Sequence, residues 1–294
     1  PIYEVYRAAF PEQANHPAYM QLAFFQRVYT LQLEWIVSEI MRVFAAHDLP
    51  VIWLKGVVLA HSLYDQPWLR YMRDLDFLVP YERRHQALQL LKDMGFIHTA
   101  NGIGAEFEKF HSDYQLSYKN QDHLIVAELH YDPLAYVSAP PFVDARAWFW
   151  QHTHTIKTPM GDLHAFTDEA MFLHLVLHDV FHHERRFPDT RSPFEPPQLR
   201  RKYDIYLLLT RVKLDFEAIF QGAKTLDCLY AVVCELEDMR QLFGLDFSGE
   251  IARFKADAQY PVRFNFRERD AYIKVTLLKG TLRDHAPREI AGFI

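Results

Sequence analysis

The sequence predicts an α+β protein: a mixed or antiparallel sheet with flanking helices, followed by a helical C-terminal domain. Three observations carry this expectation. A long apolar periodicity of three and four residues runs through the first 48 positions. Short runs that alternate in polarity, or are continuously apolar, fill residues 49–165. From Thr167 onward the pattern returns to helical spacing. The expected organisation is therefore an N-terminal helical segment (1–48), a sheet-bearing domain (49–165) and a C-terminal helical domain (166–294).

Taken in order, Pro17 to His47 reads as one helix, with apolar residues from Leu22 to Phe44 that would pack on the sheet. Val51 to Leu54 reads as a buried strand, and Gly56 punctuates it before a helix over Val57 to Tyr64. Asp74 to Val79 alternates acid and apolar residues before an apolar end, a strand signature. His85 to Met94 is the next helix, with Gly95 near its C-terminal end. Phe96 to Tyr118, including Glu106 to Phe110, reads as antiparallel strands leading to a strand over Leu124 to Tyr131. Pro133, Pro140 and Pro141 then end regular pairing, and Ala145 to His152 is a short aromatic segment. Thr158 to Asp162 is a turn between two strands. Thr167-Asp168-Glu169 starts a helix with acids in its first turn. Phe187 to Gln198 carries four prolines and is a loop or flap. Helices follow near Leu199–Val212, Asp215–Gln221 and Lys224–Phe243, and Arg263 to Leu278 is again helix-like.

Composition narrows the function. The 294 residues suffice for two domains, and 50% hydrophobic content excludes general disorder. No apolar run is long enough to cross a bilayer and no signal peptide is visible, so no membrane partner is expected. The two cysteines, Cys228 and Cys234, fall on different faces of a helical pattern, which argues against a disulfide and for a reducing cytoplasm. A net charge of −6 disfavours general nucleic-acid binding, although Arg185-Arg186 and Arg200-Arg201-Lys202 are basic patches.

The chemistry-bearing stretch is Arg70-Tyr71-Met72-Arg73-Asp74-Leu75-Asp76-Phe77-Leu78-Val79. On a strand, Asp74 and Asp76 share one face, and Leu75, Phe77 and Val79 share the other. Two adjacent carboxylates repel each other, and a divalent cation between them removes that cost. Hard oxygen ligands suit magnesium, which fills the rest of its shell with water and substrate phosphates. Upstream, Lys55-Gly56 lies at a strand-to-helix turn, where glycine permits close backbone approach, the helix start offers N–H groups to an anion, and Lys55 adds a charge. Downstream, Glu128 and His130 share a strand face opposite Ala127, Leu129 and Tyr131. A glutamate inside an apolar strand is either paired or bound to a metal. Three converging carboxylates can hold two magnesium ions about 3.5–4 Å apart for in-line phosphoryl or nucleotidyl transfer.

The order Leu54-Lys55-Gly56, Arg70, Asp74-Leu75-Asp76-Phe77-Leu78-Val79 and Glu128-Leu129-His130 resembles the polymerase-β-type nucleotidyltransferases. Within them it looks like an uncharacterised bacterial nucleotidyltransferase group, across roughly residues 30–215. The resemblance implies a polymerase-β-type core, two Mg2+ ions on Asp74, Asp76 and Glu128, and a nucleoside triphosphate, ATP by expectation, as co-substrate. It implies that Glu128 helps deprotonate the acceptor and that Gly56 and Lys55 hold the β- and γ-phosphates. Arg70 either holds a phosphate or pairs with a neighbouring aspartate, and His130 joins the nucleotide-binding set. The wider superfamily's Gly-Ser pair is altered here, since Val57 follows Gly56. The implied reaction moves a nucleoside monophosphate to a hydroxyl or phosphate acceptor, which could be a small molecule, a peptide or a protein.

His174, His178 and His182 recur every four residues and form one helical stripe. They could pack at a domain seam, bind zinc, or, through His178-Asp179, serve a metal-dependent phosphohydrolase. If the seam forms a wall of the acceptor cleft, His178 and His182 reach the triphosphate or the acceptor. A non-catalytic nucleotide-binding module is the third alternative.

Overall fold

A computed structural model describes residues 17–99, 113–120, 123–134, 145–183 and 199–257. The expected strands near Glu106, the proline-rich loop at 187–198, the helix at 263–278 and the Arg185-Arg186 patch lie outside the described residues. The chain divides into two compact units: residues 1–133 with 146–167, and residues 134–145 with 168–294.

The first unit is built on a seven-stranded sheet. Its elements, in order, are helix α1 (Pro17–Ala45), β1 (Ile52–Trp53), α2 (Lys55–Ser62), β2 (Asp74–Leu78), α3 (Arg84–Asp93), β3 (Ile97–His98), β4 (Asp113–Asn120), β5 (His123–His130), α4 (Ala145–Gln151), β6 (Thr153–Thr158) and β7 (Gly161–Phe166). The strand order is β3-β4-β5-β2-β1-β7-β6. β2 runs parallel to β5 and β1 runs parallel to β7, while β1–β2, β3–β4, β4–β5 and β6–β7 are antiparallel. The sheet is therefore mixed, one of the two arrangements the sequence leaves open.

The apolar face of β2 explains why this sheet is stable. Leu75 and Phe77 are buried, and Phe77 meets Phe44 of α1 at 6.1 Å and Trp53 of β1 at 5.2 Å between ring centroids. α1 supplies Leu33, Ile36, Val37, Ile40 and Phe44 from one stripe, all fully buried. Its first half differs from expectation: Met20, Leu22, Phe24, Phe25 and Leu31 are exposed. His61 of α2 pairs with Glu34 of α1 at 3.1 Å, tying the two helices together. Beyond α1, Arg83 donates to the carbonyls of His47 and Asp48, closing the turn that leads into β1. Gly95 (φ +96) ends α3, and Gly161 (φ +117) makes the β6–β7 turn; both conformations favour glycine.

The second unit is helical in its described part: α5 (Asp168–His183), α6 (Leu199–Arg211), α7 (Phe216–Thr225), α8 (Leu229–Phe243) and α9 (Ser248–Asp257). α5 is buried around its circumference from Ala170 to Leu177 and packs against α6, α7 and α8. Lys202 of α6 reaches Glu235 and Asp238 of α8, each at 2.7 Å. Asp215 caps α7 by accepting from the backbone N–H groups of Glu217 and Ala218.

Two boundaries differ from the sequence reading. The expected helix over Lys224–Phe243 is interrupted: α7 runs to Thr225, Asp227 takes a left-handed φ of +53, and α8 begins at Leu229. Apolar periodicity continues across the break, and aspartate tolerates that backbone without a glycine to flag it. Helix α9 is an addition. It is started by Asp246, whose carboxylate accepts from the Ser248 N–H at 3.0 Å, and it buries only Ile251 and Phe254.

Candidate metal and nucleotide site

The site stands on the face of β2 and β5 opposite the Phe77 core. The parallel register sets Asp76 directly beside Glu128 and Leu78 beside His130. Because side chains alternate along a strand, Asp74, Asp76, Glu128 and His130 share one face. β1 ends at Trp53, and Leu54 hydrogen-bonds its N–H to the Asp76 carbonyl at 3.0 Å, which brings the start of α2 against β2.

Asp76 is the centre of this arrangement and is almost completely buried. Its Oδ1 receives Lys55 Nζ at 2.9 Å and His130 Nε2 at 3.0 Å. His130 Nε2 also lies 3.6 Å from Glu128 Oε2, and Gln115 of β4 approaches Glu128 Oε1 at 3.5 Å. Burial opposes charge on Asp76, but Lys55 and His130 outweigh it and hold the carboxyl far below its ordinary range. Burial likewise opposes an imidazolium at His130, yet the hydrogen bond to Asp76 and the Glu128 carboxylate raise its pKa to about 10.

Lys55 reaches Asp76 from an unusual backbone. Its φ is +37, a left-handed value for a residue with a side chain, at the first position of α2. Such conformations cost about 1–3 kcal/mol and persist where the surrounding structure fixes them. Gly56 follows it and is overlain by Arg70: a Cβ there would stand 3.3 Å from Arg70 Nη1 and 3.6 Å from the Asp74 carbonyl oxygen. Arg70 is buried despite its charge.

The structure thus gathers Asp76, Glu128, Lys55 and His130 into one cluster, with Gly56 and Arg70 against each other beside the Asp74 backbone. Asp74 is half-buried and its carboxylate acts electrostatically on Tyr29. Asp76, Glu128 and His130 each bring a donor atom within 4.8 Å of the other two, and Asp74 is not one of that set. His178 and His182 lie on α5, in the second unit, and the His174 and His178 rings are 6.2 Å apart. Among the described residues α5 contributes to no group of three metal-binding side chains. Gln115 and Tyr29 are neighbours that sequence reasoning missed; Gln115 sits on an ordinary alternating strand, and nothing in its local pattern sets it apart.

Among the described residues, Asp76, Glu128 and His130 are a group whose donor atoms lie close enough together to hold one metal ion. The 3.0 Å between His130 Nε2 and Asp76 Oδ1 is a hydrogen bond, so a cation bound to both would take the place of the shared proton. Lys55 and His130 already neutralise Asp76 Oδ1, so a cation bound there would displace at least one of them.

Residues 12–244 match the model of a family described as uncharacterised nucleotidyltransferases. The chain belongs to that family. No curated protein matches it. Among solved structures, an antigenic nucleotidyltransferase-like protein from Paracoccidioides brasiliensis is 15% identical, with 75% of this chain and 92% of that one covered, at a TM-score of 0.47. The solution structure of the antibiotic-resistance factor ANT(2'')-Ia is 13% identical, covering 72% and 98%, with a TM-score of 0.39. A crystal structure of ANT(2'')-Ia in complex with adenylyl-2''-tobramycin is 14% identical, covering 68% and 99%, with a TM-score of 0.40. The nucleotidyltransferase family match spans both the Lys55–Asp76 cluster and the helices through α8.

Proposed function

We propose that this protein is a magnesium-dependent nucleotidyltransferase that moves a nucleoside monophosphate from a nucleoside triphosphate, ATP in the first instance, to a hydroxyl or phosphate acceptor, releasing pyrophosphate. The observation that carries this reading is the pairing of Asp76 with Glu128 on adjacent parallel strands, with Lys55 at the strand-to-helix turn beside them. Asp74, Asp76 and Glu128 are the residues that would hold two Mg2+ ions. Bound there, the cations would spread the triphosphate charge and acidify the acceptor hydroxyl.

The chain's own groups supply the rest. Lys55, paired with Asp76 in the structure, would be the residue to hold the β- and γ-phosphates if a metal ion took over its place on the acid. Gly56 would let the phosphates approach the backbone at the start of α2 once Arg70, which lies over it, moved aside. Arg70, stacked above Gly56, gives a second positive charge along the same path. Glu128 is less buried than Asp76, which supports giving it the role of helping to deprotonate the acceptor.

The test is incubation of the purified protein with α-labelled nucleoside triphosphates, Mg2+ and a panel of hydroxyl and phosphate acceptors, following pyrophosphate release and transfer of label. Wild type transfers label and Asp76→Asn does not. Equal inertness of both proteins with every acceptor, together with no nucleotide binding in calorimetry, overturns the proposal.

A further inference from the structure

We infer that helix α1 is the contact surface of a dimer, in which a second copy of this chain lays its own α1 antiparallel against the stripe Phe24, Val28, Leu31 and Trp35. The inference is independent of the chemistry proposed for the Asp76 site.

Of the large apolar side chains exposed among the described residues, six stand on α1: Met20, Leu22, Phe24, Phe25, Leu31 and Trp35, each between 48% and 63% exposed. At about 100° of turn per residue, Met20, Phe24, Leu31 and Trp35 fall within about 60° of arc, with the half-buried Val28 at its edge. The buried stripe from Leu33 to Phe44 lies on the opposite side of the helix. α1 therefore carries two apolar faces, and only one of them meets the sheet. The two charged residues between Met20 and Trp35 are both engaged within their own copy. Arg27 lies 5.2 Å over the Trp68 ring, and Glu34 pairs with His61 at 3.1 Å. The stripe is thus uncharged. The six exposed side chains together present on the order of 600 Å² of apolar surface, the top of what a monomer leaves to water.

The spacing points to a second copy as the occupant. Phe24, Val28, Leu31 and Trp35 are separated by four, three and four residues, the seam spacing of paired helices. That order reads identically in both directions. A twofold axis between Val28 and Leu31 therefore sets Phe24 opposite Trp35, and Val28 opposite Leu31, in both halves of the contact. No like charges meet, since Arg27 comes opposite Gln32. Trp35 is also one wall of a groove of about 440 Å³ formed with Val43, Leu90, Met94, Phe96 and Tyr118. In the antiparallel arrangement, the segment Met20–Phe25 of one copy reaches the level of Trp35 and Glu39 in the other, and its phenylalanines are the knobs for that groove. Each copy thus offers both a projecting apolar segment and a recess for it, the self-complementarity that a twofold contact requires. Two such faces bury about 1,200 Å² together, the lower bound for a specific, stable interface.

Sedimentation velocity of the full chain between about 1 and 100 µM reads the association. Wild type is expected to be dimeric at the upper end of this range. Phe24→Glu combined with Leu31→Glu sets like charges along the seam and is expected to weaken association at least about thirtyfold. Orientation is read by mixing two single variants, Phe24→Cys and Trp35→Cys, in a Cys234→Ser background with a short bismaleimide. The mixture is expected to cross-link to dimers, and each variant alone is not. Circular dichroism checks the fold of the glutamate variant, and the cross-linking pattern decides the point without it. A wild type that stays monomeric at about 100 µM overturns the inference; sedimentation of that monomer with phosphatidylcholine vesicles would assign the stripe to a lipid surface instead. A dimer untouched by the two glutamates overturns α1 as its contact, and equal cross-linking of each cysteine variant alone overturns the antiparallel pairing.

Discussion

Lys55 Nζ lies 2.9 Å from Asp76 Oδ1, so the most buried carboxylate of the site carries a side-chain counter-ion of its own. Removing one member of a buried, charge-compensated group leaves the others uncompensated. Asp76→Asn is therefore expected to destabilise the protein by about 3–5 kcal/mol, because Lys55 and His130 both lose their shared anion. Urea unfolding monitored by tryptophan fluorescence measures this. A loss below about 1 kcal/mol would show that the cluster is hydrated and its charges screened.

The same cluster sets a pH window for stability. His130 titrates from an ordinary 6.5 up to about 10 in the folded protein, so its contribution is complete below pH 6.5 and is lost as pH rises toward 10. Asp76 is shifted downward from an ordinary 3.8, so its contribution is complete above that value and is lost as pH falls. Both contributions are whole between pH 3.8 and 6.5. The urea midpoint should fall on the alkaline side between neutrality and pH 10, and His130→Asn should flatten that limb. An unchanged midpoint across that range in wild type would contradict the raised His130.

The left-handed backbone at Lys55 gives a separate prediction. Inside a helix, alanine is normally favoured over glycine by about 0.5–1 kcal/mol. At Lys55, with φ +37, the order should reverse, and Lys55→Gly should be more stable than Lys55→Ala by about 1 kcal/mol. Both variants lose the ion pair equally, so the difference between them isolates the backbone term. Thermal or urea unfolding of the pair checks it, and a more stable alanine variant would refute it.

The cysteines should separate by reactivity. Cys228 is fully buried at the start of α8, and burial, reinforced by Asp227, pushes its thiol well above the ordinary value. Cys234 is only partly covered. Iodoacetamide at pH 8 should alkylate Cys234 first and reach Cys228 only under denaturing conditions, as peptide mass spectrometry would show. Equal labelling rates in the native protein would contradict the packing of the α7–α8 turn.

Much of the site was legible because strands impose a period of two. The alternation from Asp74 to Phe77 and from Ala127 to Tyr131 fixed which side chains share a face, and both assignments match the burial of Leu75, Phe77, Ala127, Leu129 and Tyr131. What alternation does not carry is adjacency. That β2 lies parallel to β5, with Asp76 opposite Glu128, follows from packing across the whole sheet. The lysine was readable as a charge at a turn, but its contact with Asp76 depends on a backbone angle that no residue type announces. The exposed aromatics early in α1 show the converse: apolar spacing marks a helix without saying which part of it meets the sheet. The break at Asp227 was hidden because the apolar rhythm of α7 and α8 continues through it.

The partners of Asp76 lie at very different distances along the chain. Asp76 and His130 are 54 positions apart in the chain, while β1 and β2, which bring Lys55 to Asp76, are adjacent antiparallel neighbours. Along the chain the lysine is the aspartate's nearer companion, and the histidine and glutamate come together on one later strand. The Lys55–Asp76 pair thus closes a much shorter loop of chain than the His130–Asp76 pair.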